Sequence, residues 1–102
     1  MIKILVCDDH QLMIDGIKLM MSDAADMKCV GQALNGQEAI EFIEENPVDV
    51  LIMDINMPVL NGLETCKILS KKHPEVKVIG LSMLKDIELV QNIIKYLSLI
   101  HI

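Results

Sequence analysis

The sequence predicts an open α/β sheet of parallel strands, covered by helices on both faces. Three observations carry that expectation. Four short apolar runs alternate strictly with four stretches of helical periodicity. The runs are apolar almost throughout, as strands buried on both faces are. Polar residues able to do chemistry stand directly after three of them: Asp8 and Asp9, Asp54, and Ser82.

The first run, Ile2-Lys3-Ile4-Leu5-Val6-Cys7, reads as a buried strand. Residues 11–22 follow, with Met13, Ile17, Met20 and Met21 at helical spacing. Residues 27–34 make a second, weaker strand. Asn35-Gly36-Gln37-Glu38 then has the Asn-x-x-Glu form of a capping box, and the helix it opens stops at Asn46-Pro47. Residues 48–53 are a third strand, apolar except for Asp49. Asn61-Gly62-Leu63-Glu64 repeats the capping form, and its helix closes on Lys71, Lys72 and His73 before Pro74. Those cations suit the negative end of the helix dipole. Residues 76–81 form the fourth strand, and Leu89, Val90, Ile93, Ile94 and Leu97 stripe a fourth helix.

At 102 residues the chain is one domain. Hydrophobic residues make up 52% and aromatics only 2%, so aliphatic side chains and the eight Met must fill the core. A net charge of −6 and the lack of any Arg exclude a basic nucleic-acid surface. No apolar run approaches the ~20 residues of a membrane span, and the N-terminal run is too short for a signal peptide. Cys7, Cys29 and Cys66 are odd in number and lack Cys-x-x-Cys spacing. They read as small core side chains in a reducing, cytoplasmic setting.

Ligands of an open parallel sheet bind beyond the carboxyl ends of the strands, where the strand order reverses. Asp8, Asp9, Asp54 and Ser82 all fall at that end. Each acid alone could be a helix cap or a loop start; scattered surface acids would not all respect strand ends. Clustered carboxylates repel, and a divalent cation relieves the repulsion. Mg²⁺ takes oxygen ligands and one or two carboxylates directly, leaving positions for water and phosphate oxygens. Such a site suits phosphoryl transfer, in which a carboxylate can itself be the nucleophile. Asp54, the lone acid facing the acidic pair, is the candidate nucleophile, with Ser82 able to bond a phosphoryl oxygen. His10 is expected to be a plain loop residue at the start of the first helix, since Mg²⁺ prefers oxygen.

These residues resemble a known family. Asp8-Asp9 after strand one, Asp54-Ile55-Asn56-Met57-Pro58 with Gly62 following, and Leu81-Ser82 look like the receiver domain of bacterial two-component response regulators. The Asp-Asp-His start and the Leu-Ser-Met segment resemble most the LuxR/NarL/FixJ-type subgroup, whose members carry a C-terminal helix-turn-helix domain. The resemblance implies a flavodoxin-like sheet of order 2-1-3-4-5. It implies phosphotransfer from a sensor histidine kinase to Asp54, with Asp9, Asp54 and the Asn56 carbonyl ligating Mg²⁺ and Asp8 acting mainly through water. Ser82 matches the family's Ser/Thr switch, and Pro58 and Gly62 would shape the loop. A receiver homodimer is a further implied partner. The domain itself would touch neither nucleic acid nor membrane, and it would be no enzyme beyond its own phosphorylation and dephosphorylation.

The resemblance covers residues 1–96. The family's fifth strand, with its phosphoryl-pairing Lys, and its fifth helix have no counterpart; together they would add roughly 20 residues. The expected sheet is therefore 2-1-3-4, with strand four left as an apolar edge that favours self-association. Residues 97–102 read Leu-Ser-Leu-Ile-His-Ile, which resembles a translated sequencing-library transposon end and is expected to be a non-native tail. Two other functions stay open from sequence. One is a fold-only interaction module that is not phosphorylated. The other is a Mg²⁺-dependent phosphatase with an Asp nucleophile, though Asn56 stands where the haloacid-dehalogenase pattern wants a second Asp.

Overall fold

A computed structural model describes residues 1–54 and 62–81. Within them the order is β1 (Ile2–Cys7), α1 (Gln11–Met21), β2 (Met27–Ala33), α2 (Gly36–Glu45), β3 (Val50–Asp54), α3 (Gly62–Lys72) and β4 (Lys77–Leu81). The strands are parallel, in the order β2-β1-β3-β4. The expected doubly wound topology is thus present. The expected fourth helix, together with Asn56, Pro58 and Ser82, lies outside the described residues.

Strand faces divide the core in two. Ile2, Ile4 and Val6 of β1 join Val50 and Ile52 of β3 beneath Ile14, Ile17 and Met21 of α1. The alternate residues, Leu5, Cys7, Leu51 and Met53, face the other way and pack with Ala39, Ile40 and Ile43 of α2 and Leu69 of α3. Every residue of β3 is buried, which explains why its sequence lacks the alternation of a half-exposed strand. Burying one such aliphatic side chain contributes about 1.5–3 kcal/mol.

The Asn-x-x-Glu signal at the start of α2 works with one difference. Asn35 Oδ1 accepts from Glu38 N at 2.9 Å, as a capping box requires. Glu38 Oε1, however, accepts from Leu34 N at 2.9 Å, one residue before the cap. The chain enters α2 with Asn35 extended, which brings the Leu34 amide within reach of Glu38.

Parallel register then sets the site. β1 pairs with β3 through Ile4↔Val50, Leu5↔Leu51, Val6↔Ile52 and Cys7↔Met53. The next residues along the two strands are Asp8 and Asp54, so the pairing carries them to the same sheet end side by side. Asp8 N donates to Ala33 O at 3.0 Å, which extends the β1–β2 pairing through the acid itself. On the far side of β3, Asp54 pairs with Leu81.

Candidate metal and phosphoacceptor site

Asp8, Asp9, His10 and Asp54 converge at the carboxyl end of the sheet, with one ligand atom from each lying within 4.8 Å of the others. Strand ends fix two of them. Asp54 is the last residue of β3 rather than the first residue beyond it, and the strand begins two residues later than its apolar run suggested. Asp8 and Asp54 are each only 1% exposed. Asp9 and His10 lie on the solvent side of the cluster.

Hydrogen bonds orient the loop between β1 and α1. Asp8 Oδ1 accepts from the His10 backbone N–H at 2.9 Å. His10 Nδ1 stands 3.1 Å from that same oxygen and 2.9 Å from Asp9 Oδ1. The hydrogen bond to Asp8 raises the pKa of His10 above its ordinary value, and the charge of Asp9 adds to the rise. His10 stands at the start of α1, as expected of a loop residue there, and in addition its ring lies against both acids. The signal was its position directly after the acid pair, outweighed by the preference of Mg²⁺ for oxygen.

Cys7, at the base of the site, is pushed up to about 12, first by burial and then by the charges of Asp8, Glu38, Asp54 and Asp9. Its Sγ donates to Asn35 O at 3.2 Å, tying β1 to the start of α2. The thiol is a core group there, as its apolar setting in the sequence suggested.

The donor set fits a hard divalent cation. Buried carboxylate oxygens are costly unless a partner is supplied. Asp8 Oδ2 is buried and accepts no hydrogen bond from the described residues. A cation ringed by carboxylate oxygens is the chemically apt partner for it. Among the described residues, no helix is long and apolar enough to cross a membrane.

Residues 4–97 match the response regulator receiver domain family. The chain belongs to that family. Receiver domains are the phosphoacceptor units of two-component signalling, typically bind Mg²⁺ at an acidic pocket and interact with histidine kinases. Sequence relatives include the transcriptional regulatory protein DegU of Brevibacillus brevis, 37% identical over 94 residues that are 92% of this chain and 40% of DegU. The response regulator GacA of Pseudomonas syringae is 38% identical over 86 residues, 84% of this chain and 40% of GacA. This receiver thus spans 40% of the length of those two curated relatives. The solved signal receiver domain of the response regulator NarL from Mycobacterium tuberculosis has a TM-score of 0.76 at 26% identity, over 96% of this chain and 75% of that one. The resemblance to receivers and the flavodoxin-like sheet are both borne out.

Proposed function

We propose that residues 1–96 are the phosphoacceptor unit of a cytoplasmic two-component phosphorelay, receiving a phosphoryl group on Asp54 from a sensor histidine kinase. The observation that carries this reading is the meeting of Asp8, Asp9 and Asp54 at one end of the sheet, with Asp54 buried at the tip of β3. A buried carboxylate among other acids is costly to fold, so its placement is best explained by chemistry at that point.

Asp54 is the nucleophile. Its carboxylate oxygen attacks the phosphorus of a donor phosphohistidine; a P–O bond forms as the P–N bond breaks, and the departing imidazole keeps the electron pair and takes up a proton. Asp8 and Asp9, with Asp54 and the Asn56 carbonyl, would hold Mg²⁺. When bound, the ion neutralises the crowded oxygens and supplies positions for phosphoryl oxygens. The hydrogen bond from His10 N to Asp8 Oδ1 fixes the rotamer of Asp8. The fully buried β3 body beneath Asp54 keeps its carboxylate from swinging away. By family analogy, Ser82 bonds a phosphoryl oxygen and switches on phosphorylation. Water attack on phosphorus later returns the carboxylate and inorganic phosphate.

The two relatives are longer than this chain, and one is named a transcriptional regulatory protein. Both facts support a DNA-binding output domain, of LuxR type by resemblance, as the element that the receiver controls. A receiver homodimer is the form in which such control would be exerted.

Incubation with Mg²⁺ and a small acyl phosphate is expected to leave an acid-stable, base-labile phosphate on the chain. Asp54→Asn should reduce it to background. Equal labelling of Asp54→Asn would refute the assignment, and steady turnover of many phosphate monoesters would point to a phosphatase.

A further inference from the structure

The receiver reading accounts for the three acids of the cluster and leaves His10 over. Its Nδ1 lies 3.1 Å from Asp8 Oδ1 and 2.9 Å from Asp9 Oδ1. Two ligands at the tetrahedral angle on a zinc ion, with bonds of about 2.0–2.1 Å, stand about 3.3–3.4 Å apart. The present separations are hydrogen-bond lengths that need open by only a few tenths of an ångström to become edges of such a polyhedron. The ring belongs to the same set as Asp54, all four groups falling within 4.8 Å. A second observation points to a ligand independently of the ring: Asp8, only 1% exposed, has its Oδ2 buried with no hydrogen bond from the described residues.

Imidazole changes which ion such a site prefers. Carboxylate and carbonyl oxygens suit Mg²⁺, whereas imidazole suits zinc, copper, nickel and cobalt. Three oxygens plus one imidazole nitrogen form a mixed donor set of the kind that zinc accepts. The ring is 58% exposed, so it can turn toward an incoming ion without displacing core side chains. His10 also makes no side-chain cap to α1, so ligation would cost the helix nothing.

We propose that His10 Nδ1 is a ligand for borderline divalent metal ions of the zinc class. With the carboxylates of Asp8, Asp9 and Asp54, it makes the acidic site of this receiver bind Zn²⁺ far more tightly than Mg²⁺. The inference rests on the acidic cluster being a cation site, as the proposed function holds. An ion of that class would occupy the place that phosphoryl transfer needs for Mg²⁺, so zinc would compete with magnesium there.

The test uses the full chain, with Zn²⁺ and Mg²⁺ as probes in competition with a chromophoric chelator. The variants are His10→Ala, His73→Ala and Asp9→Asn. Loss of even an outer-shell partner costs metal sites about 10–100-fold. The expected result for His10→Ala is a fall of at least about tenfold in the ratio of Zn²⁺ to Mg²⁺ affinity. His73→Ala should leave that ratio alone. In ring-¹⁵N spectra of the unsubstituted chain, Zn²⁺ should move the His10 Nδ1 resonance. An unchanged ratio in His10→Ala, or a stationary Nδ1 resonance with zinc bound, overturns the proposal while leaving the Mg²⁺ reading intact. If Asp9→Asn weakens neither ion, the cation site itself is refuted, and both readings fall together.

Discussion

The two halves of the acidic site are built differently. Asp8 and Asp54 are buried and held by strand register, whereas Asp9 and His10 sit on the open side and are held by a short loop. The buried half is set by β1 and β3, whose bodies form the centre of both core layers. The exposed half rests on hydrogen-bond-length contacts of His10 with Asp8 and Asp9. This division separates two tasks. Packing fixes where Asp54 and its neighbouring acid Asp8 stand, while the loop sets where Asp9 and His10 stand.

The largest expected effect comes from undermining the buried half. Leu51, fully buried in β3, supports the strand whose tip is Asp54. Leu51→Ala should cost about 2–5 kcal/mol in urea unfolding. A loss below about 1 kcal/mol would mean that β3 is not the rigid support described.

Next in size is a change at Gly31 in β2. The β1–β2 register shifts between Ile4 and Leu5, and Gly31 pairs with Leu5 just after the irregularity. A Cβ at Gly31 would come within 2.5 Å of two ring atoms of Phe42. The Phe42 ring of α2 therefore approaches the strand this closely only because that position is glycine. Gly31→Ala should cost about 1–3 kcal/mol by overpacking, read in the same urea experiment. A neutral effect would show that the Phe42 ring can move aside freely.

The acids themselves should behave in the opposite sense. Replacing Asp8 by Asn keeps an oxygen for the His10 amide and removes one charge from the crowded cluster. Without metal, Asp8→Asn should be more stable than the unsubstituted chain by about 1 kcal/mol. Added Mg²⁺ should stabilise the unsubstituted chain by about 2.7 kcal/mol at a hundredfold excess over its dissociation constant, and the variant much less. A variant less stable than its parent in chelator would contradict the view that the acids are kept for function at a cost to folding.

These particulars also show what was legible in the sequence. Nearly continuous apolar runs such as 2–7, broken only by Lys3, and 50–53 announced parallel strands, because burial on both faces leaves little room for alternation. Acids placed directly after such runs announced the ligand end of the sheet, so Asp8, Asp9 and Asp54 could be grouped before any geometry was known. Register was not legible: nothing local shows that Cys7 pairs with Met53, which is what sets Asp8 beside Asp54. The contacts of the His10 ring were hidden for a similar reason. Which way an exposed ring turns depends on the loop conformation, and the sequence carries only its position. The Glu38 contact shifted by one residue because a capping signature names residue types and not the angle at which the chain enters the helix.

The smallest effect concerns reactivity beneath the site. Cys7 stays protonated up to about 12, whereas Cys29 and Cys66 are only half-buried. At pH 8 an alkylating reagent should reach Cys29 and Cys66 well before Cys7, as peptide mass analysis would show. Because burial raises the folded pKa of Cys7, its contribution to stability is complete below the ordinary thiol pKa. It is lost as pH climbs from there toward 12. Early labelling of Cys7 would mean that the sheet end opens readily.

The claim that Asp54 alone takes the phosphoryl group has a direct chemical readout. An acyl phosphate on an aspartate is reduced by borohydride to homoserine, which peptide sequencing locates. After treatment with Mg²⁺ and a small acyl phosphate, homoserine should replace Asp54 and leave Asp8 and Asp9 unchanged. Homoserine at position 8 or 9, or its formation at 54 without a phosphodonor, would contradict the account.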